Sequence, residues 1–319
     1  MLVWIIFIAI IIVFLALDLG VFHRTPHVIS TKEAATWTTI WVSVALAFSG
    51  VIYWLFTNDI IENPTGLTGQ EAVLKYITGY LVELSLSIDN VFVIAVIFSS
   101  FAIPAKYQHE VLFWGILGAI VFRALVIFFG VTLINKVDWI VYVFGAFLLF
   151  TAFKILFAKE GSFDPKKSKM YKLIRRTFAL SDTMDGGKFF IKRMGVKVAT
   201  PLFAALIIIE LTDIVFALDS IPAILAITSD PFIVFSSNIM AILGLRSLYF
   251  LVSRMLDKFR FLNYSLVIIL AYVGVKLILS HHVEFPEWVS LSVIAGSLIG
   301  GILLSVLIPA KDSPDDIID

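Results

Sequence analysis

Residues 72–99, AVLKYITGYLVELSLSIDNVFVIAVIFS, and residues 200–228, TPLFAALIIIELTDIVFALDSIPAILAIT, decide how this chain folds. Each exceeds the roughly 20 residues that cross a hydrocarbon core as a helix. Each also carries acids where lipid would surround it: Glu83 and Asp89 in the first, Glu210, Asp213 and Asp219 in the second. Outward from these two runs lie further apolar stretches at 2–21, 38–57, 111–133, 138–158, 232–253, 262–279 and 287–309. The chain is 60% hydrophobic and 15% charged, with a mean hydropathy of +1.00. A soluble domain carries about a quarter charged residues, so a single aqueous core is excluded. An open chain satisfies its own backbone in lipid only as helix. The reading is therefore an all-α polytopic membrane protein of nine spans. The first run has no basic residue ahead of it and holds Asp18, so it is expected to be an uncleaved span rather than a signal peptide.

Charge placement gives the orientation. Alternate connections collect eighteen Lys and Arg on one side, among them Arg24, Lys32, Lys106, Arg254, Lys258, Arg260 and Lys311, against Lys136 alone on the other. Basic connections stay in the cytoplasm. The expected topology in a bacterial inner membrane places the amino terminus outside and the carboxyl terminus inside. Eleven of the eighteen lie in 159–199, where Lys166, Lys167, Lys169, Lys172, Arg175 and Arg176 alternate with Met170, Leu173, Ile174 and Phe178 at helical spacing. That pattern predicts a short amphipathic helix on the anionic leaflet. Net charge is zero and gives no reason to expect a nucleic-acid partner.

The two acidic runs are related. With Asp89-Asn90 placed over Asp219-Ser220, Glu83 falls over Asp213. Arg123 follows Asp89 by 34 residues and Arg246 follows Asp219 by 27; Lys154 and Lys276 follow these arginines by 31 and 30. Spans three to five and six to eight thus read as two copies of a three-helix unit. An odd number of spans reverses the second copy, giving an inverted 3+3 repeat with its site near the midplane. The expected organisation is 1–71, two amino-terminal spans; 72–158, first repeat; 159–199, basic loop; 200–279, inverted second repeat; and 280–319, ninth span and tail.

A charge at helix centre costs roughly 2.5–3.5 kcal/mol to insert, so five acids must face protein or water. Arg123, Lys154, Arg246 and Lys276 are their candidate charge partners, and counting Asp18 the acids outnumber them. Asn90, Ser220 and Asn238 add neutral oxygens. An oxygen-only set with surplus negative charge suits hard divalent cations such as Mn²⁺, Mg²⁺ or Ca²⁺. Glu83, Asp89, Glu210, Asp213 and Asp219 are the expected metal-binding residues. One straight helix cannot aim them all at one ion, since Glu83 and Asp89 point about 120° apart. Pro222 is placed to kink or break the second run near Asp219. The five histidines (His23, His27, His109, His281, His282) flank polar connections, and cysteine is absent, which excludes thiolate sites. With no membrane histidine and no Gly-x-Ser-x-Gly elbow, an enzyme is not expected, nor a permanent cofactor.

Glu83-Leu-Ser-Leu-Ser-Ile-Asp89-Asn90-Val-Phe and Glu210-Leu-Thr-Asp213-Ile-Val-Phe-Ala-Leu-Asp219-Ser220-Ile-Pro222 resemble the two signature segments of the TerC/Alx family, within the LysE-like exporters. Leu17-Asp18-Leu-Gly-Val-Phe-His23-Arg24 and Lys32-Glu33-Ala resemble its start. The resemblance implies a secondary transporter that exports Mn²⁺ through the five matching acids, with protons as a candidate coupling ion. It also leaves open a membrane-assembly role, which family members outside bacteria resemble.

Overall fold

The computed structural model describes residues 1–20, 29–137, 139–157, 165–181, 183–193, 195–253, 261–280, 282–283 and 285–308. His23, Arg24, His27, Lys159, Arg254, Lys258, Arg260, His281 and the tail from Lys311 lie outside these residues, and so does the side chain of Asp18. The helices are α1 (Leu2–Gly20), α2 (Thr31–Thr57), α3 (Gly69–Ser100), α4 (Ala105–Lys136), α5 (Ile140–Phe157), α6 (Lys169–Thr177), α7 (Pro201–Leu225), α8 (Pro231–Leu243), α9 (Leu245–Val252), α10 (Leu262–Leu279) and α11 (Glu287–Leu307). Seven are long and apolar enough to cross a membrane. The pair α8–α9, bent by 45°, makes an eighth candidate, and the apolar stretch of α1 is shorter.

The helices outrun their apolar stretches because polar turns are capped. Ser30 accepts the Glu33 N–H and starts α2 seven residues before its apolar run. Thr68 and Glu71 form a reciprocal capping box at the start of α3. Pro201 and Pro231 open α7 and α8, where a missing N–H costs nothing. At 32 residues, α3 and α4 are each about 48 Å long and extend beyond a core of about 30 Å.

Buried α3 is the centre of the bundle, in contact with α2, α7, α8, α9, α10 and α11. Tyr76 donates to the Ala45 carbonyl of α2 at 2.9 Å. Helix α8 is buried from Ile239 to Leu243 without a polar face, as a helix apolar all round must be. Large side chains such as Phe128, Phe129, Phe150 and Phe153 point outward and form the surface that lipid covers. Helices α5 and α10 cross at Gly145 and Gly274. A Cβ on Gly145 would sit 2.9 Å from the Gly274 carbonyl oxygen, and one on Gly274 3.0 Å from that of Gly145, so no larger residue fits either place.

Three expectations need correction. The chain is not wholly helical: Phe190–Arg193 pairs with Val196–Ala199 in a small antiparallel hairpin. Its aromatic side packs below α7, with the Phe190 and Phe203 rings 4.6 Å apart. The amphipathic helix exists as α6, but it turns Ile174 into the protein and sets Tyr171 edge-on to Phe101 just past the end of α3, 5.5 Å between centroids. Nor does Pro222 break its helix; α7 runs on to Leu225. A proline in the last turn removes one hydrogen bond close to where the ladder ends anyway. The bend falls instead at Gly244, where α2 presses closely enough that a Cβ would lie 3.4 Å from Trp41.

Candidate cation site among α3, α4, α5 and α7

The acids of α3 leave the helix on two faces, and the structure uses the faces differently. On one face Glu83, 1% exposed, forms a close ion pair with Arg123 of α4. The same guanidinium holds Asp213 of α7 with two donors, Nη2 to Oδ1 at 3.0 Å and Nε to Oδ2 at 3.3 Å. It also donates to Asn238 Oδ1 at 3.3 Å, and Asn90 reaches Asp213 Oδ1 at 3.5 Å. Glu83 and Asp213 are the positions that the repeat places over each other. One arginine of α4 therefore bridges α3 and α7. Such a forked, charge-assisted arrangement satisfies a guanidinium as an ammonium could not.

On the other face lies a cavity of about 220 Å³, lined by Asp89 and Asn90 of α3, Arg123 of α4, Thr151 and Lys154 of α5, Asp219 and Ser220 of α7, and apolar residues of α3, α5, α7 and α10. Thr151 donates to Asp219 Oδ1 at 2.9 Å. Asn90 Oδ1 and Ser220 Oγ are buried without a hydrogen-bond partner. Buried oxygens left unpaired in the protein are suited to water or to a cation. The cavity has room for several waters, so a partly hydrated ion fits. Asp89-Asn90 and Asp219-Ser220, the second matched pair of positions, thus line one space from two helices.

The remaining expected residues lie apart. Glu210 rests its carboxylate on Gly118 of α4, where a Cβ would collide with it, and its Oε2 has no hydrogen-bond partner. Arg246 lines a separate small pocket with Trp37 and Trp41 of α2. Lys276 donates to Ser290 at 2.9 Å and lies 3.8 Å from Glu287, which is 3.1 Å from Lys75. Among the described residues, no three Asp, Glu or His side chains are grouped so as to hold a metal ion by themselves. Sequence reasoning missed Thr151, whose signal was its place one helical turn before Lys154 on the same face of α5.

The fold and its charged, oxygen-lined interior define the class: a multi-pass, α-helical integral membrane protein. Residues 68–313 match the integral membrane protein TerC family, and the chain belongs to that family. An uncharacterized membrane protein of Myxococcus xanthus, STKORF319, is 48% identical over 311 residues, covering 98% of this chain and 93% of its own. An uncharacterized membrane protein of Rickettsia bellii is 41% identical over 304 residues, 95% and 97% of the two chains. Alx of Escherichia coli (strain K12), described as a candidate membrane-bound redox modulator, is 41% identical over 299 residues, 93% and 92%. No solved structure matches the chain.

Proposed function

We propose that the protein is a secondary transporter that exports a divalent cation, Mn²⁺ in preference to Mg²⁺ or Ca²⁺, from the bacterial cytoplasm and so serves metal homeostasis. The observation that carries this reading is the cavity between the repeat-matched pairs Asp89-Asn90 and Asp219-Ser220, with two carboxylates and two unpaired neutral oxygens. Oxygen donors with excess negative charge select hard divalent cations. The preference for manganese rests on the family resemblance.

In this reading the acids divide their work. Asp89 and Asp219 take the ion. Glu83 and Asp213 hold Arg123, which closes the inner wall, and Glu210 stands outside the first coordination sphere. The packing supports an inverted repeat: α3 lies on α8 as α7 lies on α4, and the third helices of the units, α5 and α10, lie on each other. Counting α1 and the bent pair as spans gives nine, with the amino terminus outside and the basic connections inside. Alternating access follows when the α5–α10 pair rocks against α3, α4 and α7, opening the cavity to one side and then the other. Protonation of a carboxylate would assist release outside.

The redox description of Alx suggests a second reading. This chain has no cysteine and hence no thiol with which to exchange electrons. A redox effect would therefore follow from the redox-active ion it moves. An assembly role would rest on the basic 159–199 segment, and deleting Lys166–Arg176 would then matter more than neutralising Asp89.

The test is total cell manganese after a Mn²⁺ challenge, in bacteria lacking their own manganese exporters. The unaltered protein should lower it, while Asp89→Asn and Asp219→Asn, at matched membrane abundance, should not. Manganese unchanged by the unaltered protein, or lowered equally by both variants, refutes the reading.

A further inference from the structure

The basic residues of the membrane region are nearly all committed. Arg123 is held by Glu83, Asp213 and Asn238. Lys276 is held by Ser290 and Glu287, and Lys75 by Glu287 and the Ile227 carbonyl. Arg246 has partners of its own. Lys154 differs. It borders the Asp89–Asp219 cavity and its charge reaches Asp219, yet no ion pair or hydrogen bond ties it to another described residue. It lies three residues after Thr151, whose hydroxyl already holds Asp219, so this turn of α5 faces the acid. Its side chain is exposed on the flank of α5 and carries a compact charge on a flexible four-carbon stem.

We infer that Lys154 is a tethered stand-in for the cargo: its ammonium occupies the Asp89–Asp219 cavity when no divalent cation is bound, and thereby permits the unloaded carrier to return. This rests on the reading that those carboxylates take the ion. The loaded cavity is neutral, two carboxylates against one divalent ion. The unloaded cavity would expose two bare negative charges to a low dielectric, which is strongly unfavourable. A cation on a stem halves that charge without leaving the protein. An arriving divalent ion displaces the single charge of the lysine, and departure of the ion draws the lysine back. Lys276, its repeat counterpart, is fastened to α11 and cannot do the same. The division makes a specific claim. Exchange of one Mn²⁺ for another never requires the unloaded carrier to return, so it does not need Lys154; net export does.

The chain has no cysteine, so Lys154→Cys introduces a sole thiol. Purified full-length protein in phosphatidylethanolamine–phosphatidylglycerol vesicles would be assayed for net Mn²⁺ efflux and for exchange of isotopic against unlabelled Mn²⁺. Lys154→Cys should lose net efflux at least tenfold and keep exchange within about twofold of the parent. Aminoethyl methanethiosulfonate, which rebuilds a positive side chain of similar length, should restore net efflux, whereas the neutral methyl reagent should not. Net efflux unaltered by Lys154→Cys, with an active parent, overturns the inference and leaves the export reading standing. Loss of efflux and exchange together, unrelieved by the positive reagent, also overturns it, because Lys154 would then support the fold. A parent that moves no Mn²⁺ in either assay overturns the export reading and this inference with it.

Discussion

Arg123 places one guanidinium between Glu83 and Asp213, so two acids from two helices share a single cation, almost wholly removed from water. Removing one partner of such a buried cluster leaves an uncompensated charge and costs about 3–5 kcal/mol. Arg123→Gln should therefore lower the detergent melting temperature of the purified protein sharply, read by fluorescence-detected size exclusion. Adding Glu83→Gln and Asp213→Asn should recover most of the loss, since the triply neutral cluster can hydrogen-bond internally. A triple variant less stable than Arg123→Gln alone would show that the cluster does not act by charge pairing. The sequence made every member of this cluster visible, because a charge in an apolar run stands out. It could not show that Arg123 serves both acids while Arg246 turns to α2, nor that Asp89 leaves Glu83 for a separate cavity. Those outcomes depend on which helix each face meets, and spacing along one helix carries no information about its neighbour.

At the level of elements, the α5–α10 crossing is a close backbone approach: a Cβ on Gly145 or Gly274 would meet the other's carbonyl oxygen at 2.9 or 3.0 Å, as well as the Ile278 or Leu149 side chain. Without a hydrophobic force between helices in lipid, close approach through small residues is what holds them together. Gly145→Leu should force the pair apart, with a loss of more than about 2 kcal/mol from overpacking and a clear fall in membrane abundance. Gly50→Ala and Gly296→Ala, where nothing lies within 4 Å of the new methyl, should leave abundance unchanged. Equal abundance for all three would refute a packing role for the crossing. The apolar runs themselves were legible to within a few residues, since lipid forces each into helix. Their polar ends were not, because Thr31–Trp37 is helical through its cap rather than its hydropathy. The hairpin at 190–199 also escaped notice. Phe190-Ile-Lys-Arg is too short and too basic to read as a strand, and it is held by Phe203, which a local pattern cannot foresee.

At the level of the whole molecule, eighteen basic residues against one across alternate connections predict a single orientation. Alkaline phosphatase fused after Lys136 should be active, as it is only outside the cytoplasm, and fusions after Lys188 or Leu307 should be inactive. Activity after Leu307 would remove one span from the count. Under this orientation the contacts of Glu287 acquire a direction. This residue opens α11, and its carboxylate draws in Lys75 of α3 and Lys276 of α10. Like the riveted end of a pair of tweezers, that contact ties the tips of α3 and α10 to α11, and under the proposed export function it would hold the outer side shut until the ion pairs release. Under the proposed export function, a carrier resting in this posture would behave as an overflow valve, idle while the metal is scarce and discharging only when the cell's own concentration rises high enough to fill it.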